Sequence, residues 1–301
     1  MKQNIFALPS GKLYYEKNRK HIEIISYDGE DTEVIIPEEI ENLPVEKIQK
    51  KAFLSKKKIR KIVLSGTLSE IGDWAFTYCD QLREVVFPKK KISLGKNIFS
   101  GDKHLQSITI SGSLKEKKTG IEYMLSSAIT AFGTYQLLDA EDAGSDAWMR
   151  MWDDRLIKMM RQDDFDGYAD LLICGEEDYE GKDYDEISYP SRKRMGKVRM
   201  AFFRLLHDFG LSEEIKSFLE MYLKQHTFGC VDSETWTVLK NEKSDDMDYF
   251  RIFMQADCIN EKNIDSMIHD LGEEQVQLRA ALLNYKNEKI GFENQFDEFE
   301  L

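Results

Sequence analysis

Proline (5 residues), histidine (5) and cysteine (4) are all scarce in this 301-residue chain, and each scarcity excludes something. Cys79, Cys174, Cys230 and Cys258 stand far apart without a Cys-x-x-Cys pair, so no disulfide scaffold is expected. They read as small buried hydrophobes. His21, His104, His207, His226 and His269 are scattered, none with a partner at metal-ligand spacing, so no metal or cofactor is predicted. No apolar run approaches the ~18 residues of a membrane-spanning helix. The apolar stretch Ile5-Phe6-Ala7-Leu8 is stopped by Pro9, Ser10 and Gly11, too early for an export signal. A cytoplasmic protein is therefore expected, with a cell-surface or secreted one as the alternative if a leader has been removed. The phosphate-binding Gly-x-x-x-x-Gly-Lys-Ser/Thr, the nucleophile elbow Gly-x-Ser-x-Gly and the zinc motif His-Glu-x-x-His are all missing. His207 and Asp208 are neighbours on one helix and so point apart. The chain reads as a non-enzyme; a site assembled only in three dimensions, around 163–170 or His207, stays open.

What is present is an ordinary soluble composition, 42% apolar and 32% charged. Its charge is unevenly placed. Residues 1–118 hold 22 Lys and Arg against 16 Asp and Glu, a balance of +6; residues 119–301 hold 20 against 39, a balance of −19. This shift predicts two domains, 1–118 and 119–301, and the acidic second half argues against nucleic acid as a partner. The expected partner is a protein.

The first half repeats itself. Phe53, Phe76 and Phe99 recur at one spacing, which also relates Ile48, Ile71 and Leu94; Ile59, Leu82 and Leu105; and Ile62, Val85 and Ile108. Ala52 and Ala75 precede their phenylalanines, and Ile98 takes that place in the third copy. In Leu82-Arg83-Glu84-Val85-Val86-Phe87-Pro88 the residues alternate from Val85, which predicts a short strand with Val85 and Phe87 inward, closed by Pro88. The Ile71-Gly72-x-x-Ala75-Phe76 segment turns the chain and plugs the interior with Phe. A single unit cannot bury its own face, so units must stack with their strands parallel. Leu13-Tyr14-Tyr15 and Ile22-Glu23-Ile24-Ile25 read as one or two strands that cap the open first unit.

These motifs resemble the BspA-type leucine-rich repeat of bacteria. The clearest copy is Leu68-x-x-Ile71-Gly72-x-x-Ala75-Phe76-x-x-Cys79-x-x-Leu82-x-x-Val85-x-Phe87-Pro88, and Val34-Ile35-Ile36-Pro37-x-x-Ile40-x-x-Leu43-Pro44-Val45-x-x-Ile48 resembles an opening unit. The likeness covers roughly residues 20–112. Outer copies are worn: Lys56 and Asp102 replace Cys79, and Gln49 and Gly95 follow the Ile-type position. The resemblance implies a solenoid that binds proteins or other ligands, often at cell surfaces, without catalytic residues.

Stacking also predicts an outer face. With Ile62, Val85 and Ile108 inward, Val63, Val86 and Thr109 line up outside, and Ile35 extends the row. Lys61 and Glu84 fall beside them, as do Arg60 and Arg83. This β-branched stripe with basic flanks is the candidate partner-binding face. The alternative is that β-branched residues simply suit exposed strand positions.

From Ile121 the apolar period becomes helical: Ile121, Leu125, Ala128, Ile129 and Phe132 share one face. Further amphipathic segments are read at 146–161, 164–174, 197–209, 212–224, 246–257, 262–271 and 274–288, giving an irregular helical bundle or short α-solenoid. The overall class is thus α+β: a leucine-rich-repeat solenoid followed by an all-α part. Asp163-Asp164-Phe165-Asp166-Gly167 fails as a calcium loop, since its Gly comes early and no Glu closes it; acids at a helix start explain it. The acids between 176 and 186 read as a solvated loop, with Arg192-Lys193-Arg194 after Pro190 as a solvated basic turn and a grip on an acidic partner as the alternative. Trp148, Met151 and Trp152 read as core. The tail, with Phe292, Phe296 and Phe299 among acids, reads as frayed, with a docking peptide as the alternative.

Overall fold

The computed structural model describes residues 4–102, 104–111, 120–166 and 188–290. The readings made for Gly167, Cys174, the acidic loop 176–186, most of 164–174 and the tail 292–301 lie outside those residues. Packing divides the chain into two compact units, Met1–Arg155 and Leu156–Leu301. Charge changes at 118/119 and packing at 155/156: the helix Ile121–Thr130 packs on the last strand, and the chain through Arg155 belongs to the first unit.

Strands β1 (Asn4–Leu8), β2 (Gly11–Lys17), β3 (Ile22–Gly29), β4 (Glu33–Ile35), β5 (Glu39–Ile40) and β6 (Leu43–Ile48) lead into the repeats. These continue through β7 (Lys61–Val63), β8 (Glu70–Ile71), β9 (Glu84–Phe87), β10 (Ser93–Leu94) and β11 (Ser107–Ile110). Two sheets result. The first runs β1-β2-β3-β6-β8-β10, with β5 folded back on β6; the second runs β4-β7-β9-β11. Every pairing from β3 onward in the first sheet's main path, and every pairing in the second, is parallel. In the repeats proper, facing residues are one 23-residue period apart: Lys61 faces Glu84 and Glu84 faces Ser107, while Lys47 faces Glu70 and Glu70 faces Ser93. The short strands are therefore the sheets of a parallel leucine-rich-repeat solenoid.

The period fails only where the array begins. Glu33 pairs with Lys61, and the extra residues between these strands form the β5–β6 hairpin. Its tip, Glu41 and Asn42, has positive φ (52° and 63°) as a tight two-residue hairpin turn requires.

Inside, the predicted columns are buried with one exception: Ile48, Ile71, Ile59, Leu82, Leu105, Ile62, Val85 and Ile108 lose nearly all contact with solvent, whereas Leu94 in the last strand of the first sheet is half-buried. Phe53, Phe76 and Phe99 stack at 5.2 and 5.5 Å between ring centroids. A fourth ring, Tyr27, heads the column 5.4 Å from Phe53. Tyr27 breaks the repeat spacing and so was invisible as a column member. Its hydroxyl donates to Asp31 (2.9 Å), which also accepts from the Ser10 N–H (2.7 Å), so the polar end of this capping ring is satisfied.

Each turn between the sheets contains two left-handed residues, again one period apart: Lys51, Trp74 and Asn97, then Ser55, Tyr78 and Gly101. A non-glycine residue in this region costs roughly 1–2 kcal/mol. What it gains is direction. The amides of Lys51, Trp74, Ser55 and Tyr78 turn toward the next coil and reach Asp73, Lys96, Thr77 and Ser100 carbonyls at 2.9–3.0 Å. Only Asn97 and Gly101 are residue types that favour this region, and a side chain at Gly101 would meet the Tyr78 ring at 2.4 Å.

The open end of the array is closed by helix α1 (Ile121–Thr130) and the start of α2 (Asp146–Met160). Ser126 donates to the Gln106 carbonyl (2.6 Å), tying α1 to the chain just before β11. Trp148 and Trp152 are fully buried, with indole N–H groups given to Leu137 (2.9 Å) and Met124 (3.0 Å) carbonyls. Met151, read as core, is instead 50% exposed; it sits on the flank of the face that Trp148 and Trp152 bury.

The second unit contains α3 (Ser188–Leu206), α4 (Glu213–Gln225), α5 (Glu234–Glu242), α6 (Met247–Gln255), α7 (Ile264–Asp270) and α8 (Val276–Tyr285). Val198, Phe202 and Leu205 form the buried stripe of α3, which packs on α4, α5 and α6. Gly210 follows it with φ 64°, and Ser212 caps α4 by accepting from the Ile215 N–H (3.3 Å). The basic run 192–194 is corrected here. It lies inside α3, because Pro190 in a first helical turn lacks only an N–H that would be unpaired anyway. Helix α5 escaped the sequence reading: it is one of the shortest, and Thr235, Trp236, Thr237 and Val238 favour strand by propensity. Tertiary burial of Trp236 and Leu239 overrides that preference.

Candidate interaction surface

The register of the second sheet places the sequence-named residues in rows across four strands. Ile35, Val63, Val86 and Thr109 form one continuous row on the outer face. Ile35, at its head, is 57% exposed, and the other three are half-buried by their neighbours.

The adjacent row is Glu33, Lys61, Glu84 and Ser107, and it is internally matched. The Lys61 ammonium lies 3.8 Å from Glu33 and 3.4 Å from Glu84, and Thr109 donates to Glu84 (3.3 Å). Lys61 and Glu84, named from sequence as partner-binding, thus already serve each other. The first sheet repeats the device: in the row Glu23, Lys47, Glu70 and Ser93, Lys47 lies 2.7 Å from Glu70. Alternating signs on facing positions favour the observed register.

A third row differs. Arg60, Arg83 and Gln106 sit just before their strands, where each coil makes the same small irregularity. The Arg60 and Lys61 amides both reach the Thr32 carbonyl (2.7 and 3.1 Å), those of Arg83 and Glu84 reach Arg60 (2.9 and 3.2 Å), and those of Gln106 and Ser107 reach Arg83 (2.9 and 3.0 Å). This lets two consecutive residues face outward, so Arg60 and Lys61 are both available on the surface. Arg60 and Arg83 are exposed and have no carboxylate within ion-pair distance among the described residues.

Elsewhere the polar groups suggested for a three-dimensional site are engaged in structure. Asp164 accepts from Lys197 (2.6 Å) and Arg194 (3.3 Å), and Arg194 also reaches Glu234 (2.6 Å). Asp164 is therefore the centre of an ion-pair network, while any helix that these acids would open lies outside the described residues. Arg194 does not belong to a solvated turn. The Tyr222 hydroxyl is buried beside this network, which raises its pKa, chiefly by desolvation and then by the Asp164 and Glu234 charges. The His207 ring meets Phe203 edge-on at 4.8 Å. An open depression lines the turn 241–248 and includes none of these groups. Among the described residues no cluster of three His, Cys, Asp or Glu is arranged to hold a metal ion, and no helix is long and apolar enough to cross a membrane.

One buried acid stands out in the repeats. Asp102 occupies the column of Cys79 and is only 3% exposed. One carboxyl oxygen accepts the Cys79 N–H (2.7 Å) and the other has no partner among the described residues. Burial pushes its pKa up to about 8. Burial likewise pushes the Cys79 and Cys258 thiols up to about 12, so both behave as the inert small hydrophobes expected of them; Cys230 is only half-buried.

With this geometry in view, residues 32–129 match the BspA type leucine rich repeat region in six copies. That segment is a BspA-type leucine-rich-repeat region, a class whose members are generally binding modules rather than enzymes. Among solved structures, a leucine-rich cell surface protein of Faecalibacterium prausnitzii A2-165 is 19% identical over 37% of this chain and 32% of its own, with a TM-score of 0.29. The leucine-rich repeat protein of T. pallidum is 23% identical over 37% of this chain and 63% of its own (TM-score 0.25). One from Bacteroides capillosus ATCC 29799 is 19% identical over 36% of this chain and 99% of its own (TM-score 0.27). The chain spans about a third of the length of the first of these and under two thirds of the second. No curated protein matches the chain.

Proposed function

We propose that the protein is a non-enzymatic protein-interaction module whose second sheet presents its outer face to a partner. The observation that carries this reading is the in-register row Ile35, Val63, Val86 and Thr109, with Ile35 largely exposed at its head. A continuous apolar row beside unmatched arginines offers both contact area and orientation. Residues 1–118 supply this face, and the acidic residues 119–301 share the function in a role of their own. The test is capture of native partners by the intact protein against its Val86→Lys and Arg83→Glu variants. Each substitution should abolish capture of the same bands, and undiminished capture by both removes this face from consideration. The repeat class favours a cell-surface or secreted setting over a cytoplasmic one. Fractionation of the source cells decides that, and a purely cytoplasmic protein ends the surface reading.

A further inference from the structure

The three outward rows of the second sheet obey different electrostatic rules. In the row Glu33, Lys61 and Glu84, sign alternates across the strands and each charge finds its opposite. In the next row, one residue earlier in each coil, Arg60 and Arg83 repeat the same sign. Neighbouring strands are about 4.8 Å apart. Like charges on facing positions are destabilising, and a lone exchange of Arg83 for an acid would have matched this row as its neighbour is matched. The fold has the means to neutralise a row and, among the described residues, leaves this one open.

Resting on the interaction reading above, we propose that Arg60 and Arg83 form a two-point clamp for the carboxylates of an extended acidic peptide segment laid across the strands. Guanidinium groups suit this chemistry because they offer a rigid fork of donors that takes a carboxylate through two parallel hydrogen bonds. In an extended peptide, side chains at i and i+2 share a side about 6.6 Å apart, within reach of two long arginines on adjacent strands. The alternate side chains of the same peptide face the opposite way, toward the row Ile35, Val63 and Val86. The preferred ligand therefore alternates acidic with branched apolar residues. Gln106, the third member of the arginine row, is neutral and extends the row with an amide donor. Lys61 is already held between two glutamates and adds little.

The probe is a fluorescein-labelled heptapeptide, Ser-Glu-Ile-Asp-Val-Glu-Ser, with the uncharged Ser-Gln-Ile-Asn-Val-Gln-Ser as its counterpart. Binding to the full chain is followed by fluorescence anisotropy at low and high salt. The acidic peptide should bind at least about tenfold more tightly than the amide peptide, and raising salt should narrow that gap. Arg60→Gln combined with Arg83→Gln should remove the preference. Arg60→Glu combined with Arg83→Glu should transfer it to Ser-Lys-Ile-Lys-Val-Lys-Ser, a gain that misfolding cannot mimic. Equal binding of the acidic and amide peptides, or of neither, overturns the clamp. So does an acidic preference that survives loss of both arginines. If Val86→Lys weakens capture of native partners while the acidic and amide peptides bind alike, the sheet face stands and the clamp falls. If both Val86→Lys and Arg83→Glu leave capture intact, the interaction reading fails on its own evidence.

Discussion

The two compact units are held together by opposite strategies. In the repeats each interaction recurs: a ring stacks on a ring, a left-handed amide reaches the next coil, a lysine sits among glutamates, each time one period later. In the helical unit each polar contact occurs once. The buried Arg204 guanidinium caps the end of α3 by donating to the His207 and Phe209 carbonyls. Asp270 accepts from both Trp236 and Lys240 at 2.7 Å. A repeated contact spreads damage to nearest neighbours, whereas a unique contact fixes one packing and has no substitute.

The sharpest way to break that contrast is Phe76→Ala. Phe76 stacks on both Phe53 and Phe99, so its loss should cost roughly 3–5 kcal/mol and interrupt the column in the middle. Chemical denaturation measures this, and a loss below about 1 kcal/mol would show that the column is not the core.

In the helical unit, Lys197→Met leaves Asp164 short of its nearer cation. It should cost about 3 kcal/mol, with much of that recovered on adding Asp164→Leu. A double-mutant cycle reads the coupling, and additive losses would show no coupling.

Asp102 tests the repeats with pH. Its pKa is raised on folding, so the folded state holds the proton more tightly than the unfolded chain. Stability from this group is full below about pH 4 and is lost as pH rises toward about 8. Denaturant midpoints at pH 5 and pH 8.5 should differ in the native protein, and Asp102→Asn should flatten the difference. An unchanged slope in that variant would place the titration elsewhere.

The smallest effect belongs to Lys61→Glu, which puts three like charges in a row where signs now alternate. It should cost about 0.5–1 kcal/mol in low salt and less in high salt. Salt-independent destabilisation would assign the loss to packing of the lysine stem instead.

These differences also explain what could be read from the residues. Where a residue type as well as a position recurs, the role is legible: the Phe column, the inward Ile62, Val85 and Ile108, and the outward row of Val63, Val86 and Thr109 all follow from spacing. Tyr27 was missed because the β5–β6 hairpin and the turn before β4 shift it out of period. The left-handed turn residues were missed because Lys, Trp, Ser and Tyr carry no such signal; only the backbone coil-to-coil bonds demand it. In the helical unit, the helical period gives the stripe Val198, Phe202, Leu205, Leu206 and Phe209; the first three are buried, whereas Leu206 and Phe209 are half-buried and Phe209 lies past the end of α3. Helix α5 and the inclusion of 192–194 in α3 were not visible, since both depend on partners remote in sequence, Asp164 and Glu234 among them. On the candidate face, spacing placed Arg60, Arg83, Lys61 and Glu84 together, but only the structure separates the matched charges from the unmatched ones.

The caps at the two ends of the array have a consequence for how such a protein can change length. Tyr27 with its hairpin closes one end, and α1 with the buried Trp148 and Trp152 closes the other. Neither can be passed through, so a new unit has to enter between them. Because β8 and β10 face each other one full period apart, as do β9 and β11, a duplicated segment running from Ile71 to Ser93 would meet the same neighbours on both sides. It would bring its own Phe, its own pair of left-handed residues and one more arginine to the outer row. Gene duplication in frame with this period is therefore a route by which the array can lengthen and its outer face widen, without any redesign of the ends.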